Sequence, residues 1–307
     1  MTVETQPGDR LRVALLFLLG LALSPAQAQQ LEPRAFAPNP VGVNFMKIVA
    51  SRTEGGVLLD AASPIQDFRI EANDFALGYG RTFALGSRMA SLGIVLPYAH
   101  GDASGLVDDV PDSVHRSAFG DLKLRFTTSL LPGSALSPAE FARRPPDWTL
   151  GLSLVVAAPS GQYMQERLVN IGTNRWAFKP ELGGSRQIGP WSLEGSVAGW
   201  FFTTDDDFVN GPKRQDPIGA VQGHAAYTFR PRLWLAASLT WYVGGLSEIE
   251  GTSQRDGQNS TRAGLALAWP VGSRQSLNLS WQTGISTRIG GGDFDSYGLT
   301  WQYLWFD

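Results

Sequence analysis

The sequence predicts an all-β protein: a transmembrane, antiparallel, up-and-down β-barrel of about twelve strands. Three observations predict it. Apolar and polar residues alternate along most segments after residue 40, aromatic residues gather at the segment ends, and short turns alternate with long polar loops. Period-two alternation produces strands with one apolar and one polar face. Short turns at one end of the barrel and long loops at the other are typical of outer-membrane barrels.

The alternation is clearest in the last third of the chain. In segment 276–288, Leu277, Leu279 and Trp281 share one face, and Asn278 and Ser280 share the other. Alternation alone also fits a soluble β-sandwich. Aromatic residues at strand ends favour a membrane barrel, whose lipid–water boundaries carry aromatic girdles. These residues are Trp148, Trp191, Tyr227, Phe229, Trp269, Trp301, Tyr303 and Trp305.

The strand positions follow from this pattern and from the turns. Tight turns at 85–88, 187–190, 230–232 and 271–274 are assigned to the periplasmic end, and longer loops near 53–72, 100–117, 159–174, 204–215 and 247–258 to the outer end. Both chain ends then lie in the periplasm. The predicted strands are 41–52, 73–85, 88–99, 118–130, 148–158, 175–187, 190–203, 216–229, 233–246, 259–270, 274–288 and 294–305.

The first forty residues carry an export signal. Arg10 and Arg12 precede an apolar run over 13–23, and Ala26-Gln27-Ala28 follows as a cleavage site. This order is that of a secretory signal peptide. We therefore expect a cleaved signal peptide over residues 1–28, a periplasmic N-terminal segment over 29–40 and an outer-membrane barrel over 41–307. No other segment is apolar for long enough to form a transmembrane helix.

One periplasmic connection, residues 131–147, is longer than the others. Ser137 and Glu140 form a capping-box pattern, with Pro138 at the first helical position. This pattern predicts one or two helical turns beneath the barrel. An irregular insertion is the alternative.

The composition excludes several classes of function. The 307 residues include no cysteine and three histidines, and the net charge is −3. Disulfides, thiolate catalysis and cysteine metal sites are therefore excluded, and neither a cofactor, a metal ion nor a nucleic-acid partner is expected. Acidic residues in the predicted outer loops are interpreted as solvated rather than as calcium ligands; they are Asp205, Asp206, Asp207, Asp293 and Asp295.

Charged residues within the strands identify the lumen. A charge facing lipid at the bilayer centre costs about 2–4 kcal/mol, so these side chains are expected to point inward. Their mixed signs predict a paired network, which is either a constriction or solute site or a set of structural ion pairs that fills a narrow barrel. The lumen-lining candidates are Asp121, Lys123, Arg125, Lys179, Glu181, Glu194, His224, Arg262 and Arg288.

The stretch NIGTNRWAFKPELG, residues 170–183, tests this assignment. Alternation places Lys179 and Glu181 inward, and Phe178 and Leu182 outward. Pro180 shares the outward face. Because proline removes one ladder donor, it predicts a bulge or local irregularity.

An enzyme embedded in the barrel is the main alternative to a channel. His115 and Ser117 have the i, i+2 spacing of the histidine–serine pair in outer-membrane phospholipases, but no Asn-Gly follows them. His224 has Ala226 two residues later and so offers no nucleophile. We therefore predict no catalytic residues. A closed structural or surface-binding barrel is a third possibility.

Several segments resemble one family. They are LVNIGTNRWAFKPELG (168–183), WSLEGSVAGWFFT (191–203), QDPIGAVQGHAAYTF (215–229) and GISTRIGGGDFDSYGLTWQYLW (284–305). They are similar to the outer-membrane family named for the meta pathway of phenol degradation, and the similarity extends over nearly all of the chain after the signal peptide. The chain departs from the usual aromatic terminus by adding Phe306 and Asp307 after Trp305.

The resemblance implies a transporter-like barrel in the bacterial outer membrane and supplies no catalytic residues. Its expected partners are outer-membrane lipid, a small-molecule solute and the barrel assembly machinery. Together with the strand pattern, it predicts a channel for small solutes, among them aromatic or hydrophobic compounds.

Overall fold

A computed structural model describes residues 31–57, 65–107, 110–145, 147–165, 170–208, 211–254, 256–286 and 292–307. The predicted signal peptide and the lumen candidate Arg288 lie outside these ranges. Within them, no helix is both long enough and apolar enough to cross a membrane.

The chain forms a closed barrel of twelve antiparallel strand positions, as predicted. The barrel strands are β1 (Val43–Val57), β2 (Ile65–Leu85), β3 (Arg88–Val107), β4 (Val110–Phe119), β5 (Lys123–Ser129), β6 (Trp148–Ala157), β7 (Ala177–Ile188), β8 (Trp191–Phe202), β10 (Ile218–Arg230), β11 (Leu233–Gly244), β14 (Gln258–Pro270), β15 (Gln275–Ser286) and β16 (Gly292–Phe306). Strands β4 and β5 both pair with β3 and share one position, and β1 pairs with β16 to close the barrel. Three short strands, β9 (Lys213–Gln215), β12 (Ser247–Ile249) and β13 (Thr252–Ser253), form a separate sheet in the outer loops.

Alternating burial along each strand separates the two faces of the wall. On β8, Glu194 and Ser196 are buried, whereas Leu193 and Val197 are about half exposed. Exposed apolar side chains of this kind cover the outside of the barrel, and exposed tryptophans, including Trp148, stand at the strand ends. This is the arrangement of a wall that faces lipid.

The outer loops contain more strand than the sequence indicated. The predicted loops near 53–72 and 100–117 are in large part tall hairpins, whose ladders continue to Gly56↔Arg69 and Val107↔Val110. The hairpins are held by polar pairs, such as the 2.8 Å contact between Arg52 and Glu71. Beyond the lipid a strand needs no apolar face, so alternation does not reveal it.

The predicted strand 118–130 is interrupted. β4 ends at Phe119 and β5 begins at Lys123, and Asp121 lies between them, outside both strands. Its carboxylate accepts hydrogen bonds from the backbone N–H groups of Gly161 and Thr173, at 2.9 Å each. Through these hydrogen bonds, the residue at the break links the rim of the barrel to the loop that contains Gly161 and Thr173.

Of the bulge or local irregularity predicted at Pro180, the structure shows a local irregularity without a bulge. β6 pairs with β7 in unbroken register through Leu154↔Pro180. On the other side, the ladder with β8 omits Lys179 and Pro180 and resumes at Glu181↔Ala198 in the same register. Because proline has no N–H, the hydrogen-bonded ladder between β7 and β8 has a gap at this point. The register is kept, so no extra residue is inserted in either strand.

The long periplasmic connection contains the predicted capping box. Helix α1 (Pro138–Phe141) is a single turn. The Ser137 backbone N–H donates to Glu140 Oε2 at 2.8 Å, and the Glu140 N–H donates to Ser137 Oγ at 3.4 Å.

The two residues after Trp305 are part of the barrel seam. Phe306 pairs with Val43, and Asp307 accepts hydrogen bonds from Arg81 at 2.6 Å and Asn44 at 2.9 Å. The terminal acid is therefore tied to β1 and β2, next to the closing pair of strands.

Candidate functional site

The N-terminal segment, residues 31–37, lies inside the barrel. The backbone N–H groups of Ala35 and Phe36 both donate to the carboxylate of Glu194 at 3.0 Å. The Phe36 carbonyl accepts from Thr149 Oγ1 at 2.7 Å and Ser185 Oγ at 3.2 Å. The assignment of residues 29–40 to the periplasm is corrected by these contacts for residues 31–37. The short segment has no strand pattern of its own, so its sequence does not show where it packs.

Glycines in the barrel wall make room for this segment. A Cβ atom on Gly183 would overlap the ring of Phe36, and one on Gly264 would lie 2.7 Å from Leu31 Cδ1. Real Cβ atoms essentially never approach so closely. At Gly183 the ring of Phe36 forbids the Cβ, whereas at Gly264 the carbonyl oxygen of Trp281 in the neighbouring strand, 2.6 Å away, also forbids it. A glycine within a strand often marks a bend or a close approach of another group. The inward glycines are therefore the signal that could have indicated an internal segment.

An ion network joins the N-terminal segment to the wall. Arg125 of β5 pairs through Nη1 with Glu32 of the segment and through Nη2 with Glu181 of β7, at 3.0 Å. Glu181 also lies 3.7 Å from Lys179 Nζ and accepts a hydrogen bond from Ser196 Oγ at 3.1 Å. One buried carboxylate therefore has two cationic neighbours, and one guanidinium bridges two carboxylates. Such a network is stable only while each partner is present.

The remaining described candidates do not converge on one point. His224 is buried on β10, with Nδ1 2.8 Å from Ser238 Oγ, and Arg262 is buried on β14. Lys123 is half-buried at the start of β5. Asp121 holds an outer loop, as described above. Thus Arg125, Lys179 and Glu181 share one network, and Glu194 anchors the segment directly.

A second group of residues, near the outer mouth, was not among the sequence candidates. Trp200, Ile218 and Tyr242 form a buried cluster, against which Phe202 packs. Trp200 lies on the same face of β8 as Glu194 and Ser196, so parity along the strand could have placed it inward. Sequence analysis considered aromatic residues chiefly for the lipid-facing girdle.

Two buried cations lie above this cluster, outside the barrel strands. The Cζ atom of Arg175 is 4.4 Å from the Phe202 ring centroid, and Lys213 Nζ is 5.0 Å from that of Phe208. Burial lowers the pKa of Lys213 to about 8 and that of Arg175 to about 10. Both cations are therefore held in a weakly solvated environment.

Comparisons with known proteins agree with this architecture. A family model described as "Putative MetA-pathway of phenol degradation" matches residues 51–303. An outer-membrane channel from Pseudomonas putida F1 is 20% identical, with 90% of this chain and 100% of that chain covered and a TM-score of 0.74. The transport unit of the autotransporter AIDA-I from Escherichia coli is 11% identical, with 94% and 98% covered and a TM-score of 0.54. A search of curated proteins returns no match.

Proposed function

Because this chain belongs to the phenol-degradation family whose model matches residues 51–303, we propose that it is an outer-membrane channel for small solutes, including aromatic or hydrophobic compounds. The main support for a channel is what fills the inside of the barrel. Its interior holds a short polypeptide segment through polar contacts and glycine clearances, rather than a continuous apolar core. The protein of similar fold from Pseudomonas putida is itself described as an outer-membrane channel.

The N-terminal residues and the apolar outer wall support a route by which the protein reaches the outer membrane. Cleavage after Ala28 would leave residues 29–40 as the new N-terminal segment, of which residues 31–37 lie inside the barrel. The barrel assembly machinery would insert the barrel, and outer-membrane lipid would surround its exposed apolar wall. N-terminal sequencing of the protein from isolated outer membranes should begin at Gln29; the uncleaved chain there would contradict this.

The N-terminal segment gives the channel a narrow resting form. It occupies the lumen between Glu194, Thr149 and Arg125, which lie on three different strands. Since polar and ionic contacts exchange with water more readily than a packed apolar core, the segment can act as a removable constriction. We expect low conductance in its presence and higher conductance in its absence.

The direct test is solute flux through purified protein. Planar bilayers and liposome swelling should show ion conductance and passage of small solutes, and deletion of residues 31–37 should increase both. A barrel that stays impermeable with the segment deleted would overturn the channel proposal in favour of a closed structural barrel. Heat-modifiable migration on gels confirms that each variant is folded.

A lipid-modifying enzyme is the second candidate, favoured by one contact. His115 Nδ1 lies 2.8 Å from Asp102 Oδ1, the orientation that a catalytic histidine needs. However, Ser117 Oγ lies 2.5 Å from the hydroxyl of Tyr98, and its hydrogen bond is made there rather than to His115. We expect the protein to show no lipase activity. Activity that is lost on Ser117→Ala would establish the enzyme instead.

A further inference from the structure

Two buried donor groups near the outer mouth, Arg175 Nη1 and Trp200 Nε1, have no hydrogen-bond partner among the residues that the structure describes. Thr240 Oγ1 and Tyr242 OH are also buried there and, in the same part of the chain, have no partner other than each other. Nearly all buried polar groups in folded proteins are hydrogen-bonded, so a group of unpaired donors requires an explanation. One explanation is a ligand that supplies the acceptor.

The unpaired groups surround a set of aromatic rings. The rings of Trp200 and Phe202 are stacked, with centroids 6.4 Å apart, and Tyr242 belongs to the same buried cluster as Trp200. Arg175 lies over Phe202 at 4.4 Å, and Lys179 Nζ lies 5.8 Å from the Trp200 ring. Cationic, N–H and hydroxyl donors thus adjoin apolar ring surfaces.

The nearby carboxylates are already hydrogen-bonded elsewhere. Asp205 accepts from Tyr163 OH at 2.9 Å and from Asn174 Nδ2 at 2.8 Å, and Asp256 accepts from Ser247. Arg175 Nη2 donates to Gln215 Oε1, and Arg175 takes part in none of the ion pairs found in the described ranges. Asp205, Asp121 and Asp256 act on the guanidinium through space, but none of them forms an ion pair with it in the described ranges, so Nη1 keeps one donor for an external anion.

We propose that the outer mouth binds a small aromatic carboxylate, which is the solute class of the channel. The ligand ring packs against Trp200 and Phe202, and its carboxylate accepts from Arg175 Nη1, Trp200 Nε1 and Tyr242 OH. This inference rests on the proposed channel function and names its substrate. The donor atoms are sealed from solvent in this structure, so the proposed binding requires residues 170–176, which carry Arg175, to move away from the barrel when the ligand enters.

Two substitutions remove donors and keep a benzene ring at each position, although Trp200→Phe also removes the pyrrole ring of the indole. Trp200→Phe and Tyr242→Phe should each raise the Kd for benzoate about 10- to 100-fold, the range for one hydrogen bond to a charged acceptor. Trp200→Phe should lower thermal stability, because the smaller ring leaves a cavity in the buried cluster, whereas Tyr242→Phe, which keeps its ring, should change it less. A purely structural role for these groups predicts that stability falls while the Kd for benzoate stays unchanged.

The control is Trp241→Phe. Trp241 precedes Tyr242 on β11 and is exposed on the other face of the strand. Its indole N–H donates a hydrogen bond to Asn259, outside the cluster. Its substitution should leave the Kd for benzoate unchanged. Binding by Trp200→Phe and Tyr242→Phe that equals binding by the parent protein would overturn the proposal.

Alternative probes separate the ring from the charge. In calorimetric titrations, benzoate should bind more tightly than acetate, which lacks the ring, and than benzyl alcohol, which lacks the charge. Equal affinities for all three would contradict the proposed site. Conductance without saturable benzoate binding would overturn this inference and leave the channel proposal intact, whereas no flux of any solute would overturn the channel.

Discussion

Glu194 is the residue through which the position of the N-terminal segment can be changed most directly. Its carboxylate accepts two backbone N–H groups, from Ala35 and Phe36, at 3.0 Å each. A hydrogen bond to a charged group contributes about 1.5–3 kcal/mol, so Glu194→Ala removes roughly 3–6 kcal/mol of anchoring. Because about 1.4 kcal/mol corresponds to tenfold, the equilibrium between bound and released segment should shift by roughly a hundredfold or more.

Single-channel recording measures this shift as the fraction of time spent at the higher conductance level. Glu194→Gln keeps one acceptor oxygen and should lie between the parent protein and Glu194→Ala. Leu193→Ala is the matched control, since Leu193 is about half exposed on the outer face of the same strand. Hydrogen exchange at the amides of residues 35 and 36 should accelerate in the same order as the conductance.

Two outcomes would contradict the proposed anchoring by Glu194. If Glu194→Ala leaves both the conductance distribution and the exchange of the two amides unchanged, the carboxylate does not hold the segment. If exchange accelerates while conductance stays constant, the segment is released but does not constrict the pore. The channel proposal would then need a different constriction.

Two further predictions concern the segment and the mouth. Gly183→Ala should increase conductance because the added Cβ overlaps the ring of Phe36, whereas Gly93→Ala should not, since its nearest contact would be 3.6 Å away. Benzoate binding should weaken as pH rises through about 8, because Lys213, whose pKa burial lowers to about 8, then loses the positive charge that favours an anion. Lys213→Met should flatten the profile above pH 7, and an unchanged profile would exclude Lys213 as the titrating group. The other charged groups near Lys213 are Arg175, Asp205 and Asp256.

The sequence predicted the membrane-spanning part of the wall because lipid imposes a simple rule there. A polar side chain that faces lipid is costly and an apolar one is favourable. Phe178 and Leu182 must therefore face outward, and the alternation of a strand then places Lys179 and Glu181 inward. Lys179 and Glu181 are accordingly buried. Outside the lipid that rule ends, which is why the polar hairpins held by pairs such as Arg52 and Glu71 were taken for loops.

The interior was less predictable because its contacts are remote in sequence. Phe36 packs against Gly183 and bonds to Glu194, and no local pattern links these positions. Trp200 also faces inward, although tryptophan in a membrane barrel is expected at the lipid boundary. The interior is therefore marked by residues that the lipid rule does not explain, such as the inward Trp200 and the glycine that faces Phe36.

The charges of the N-terminal segment determine how it should respond to an electric field. Residues 31–37 contain one carboxylate, Glu32, and one guanidinium, Arg34. Cleavage after Ala28 would add a protonated α-amino group, so the mobile segment would carry a net charge of about +1. A single elementary charge moved across a membrane changes energy by about 2.3 kcal/mol per 100 mV. Release of the segment should therefore respond to applied voltage, and Glu32→Gln, which raises the net charge by one, should make the response steeper.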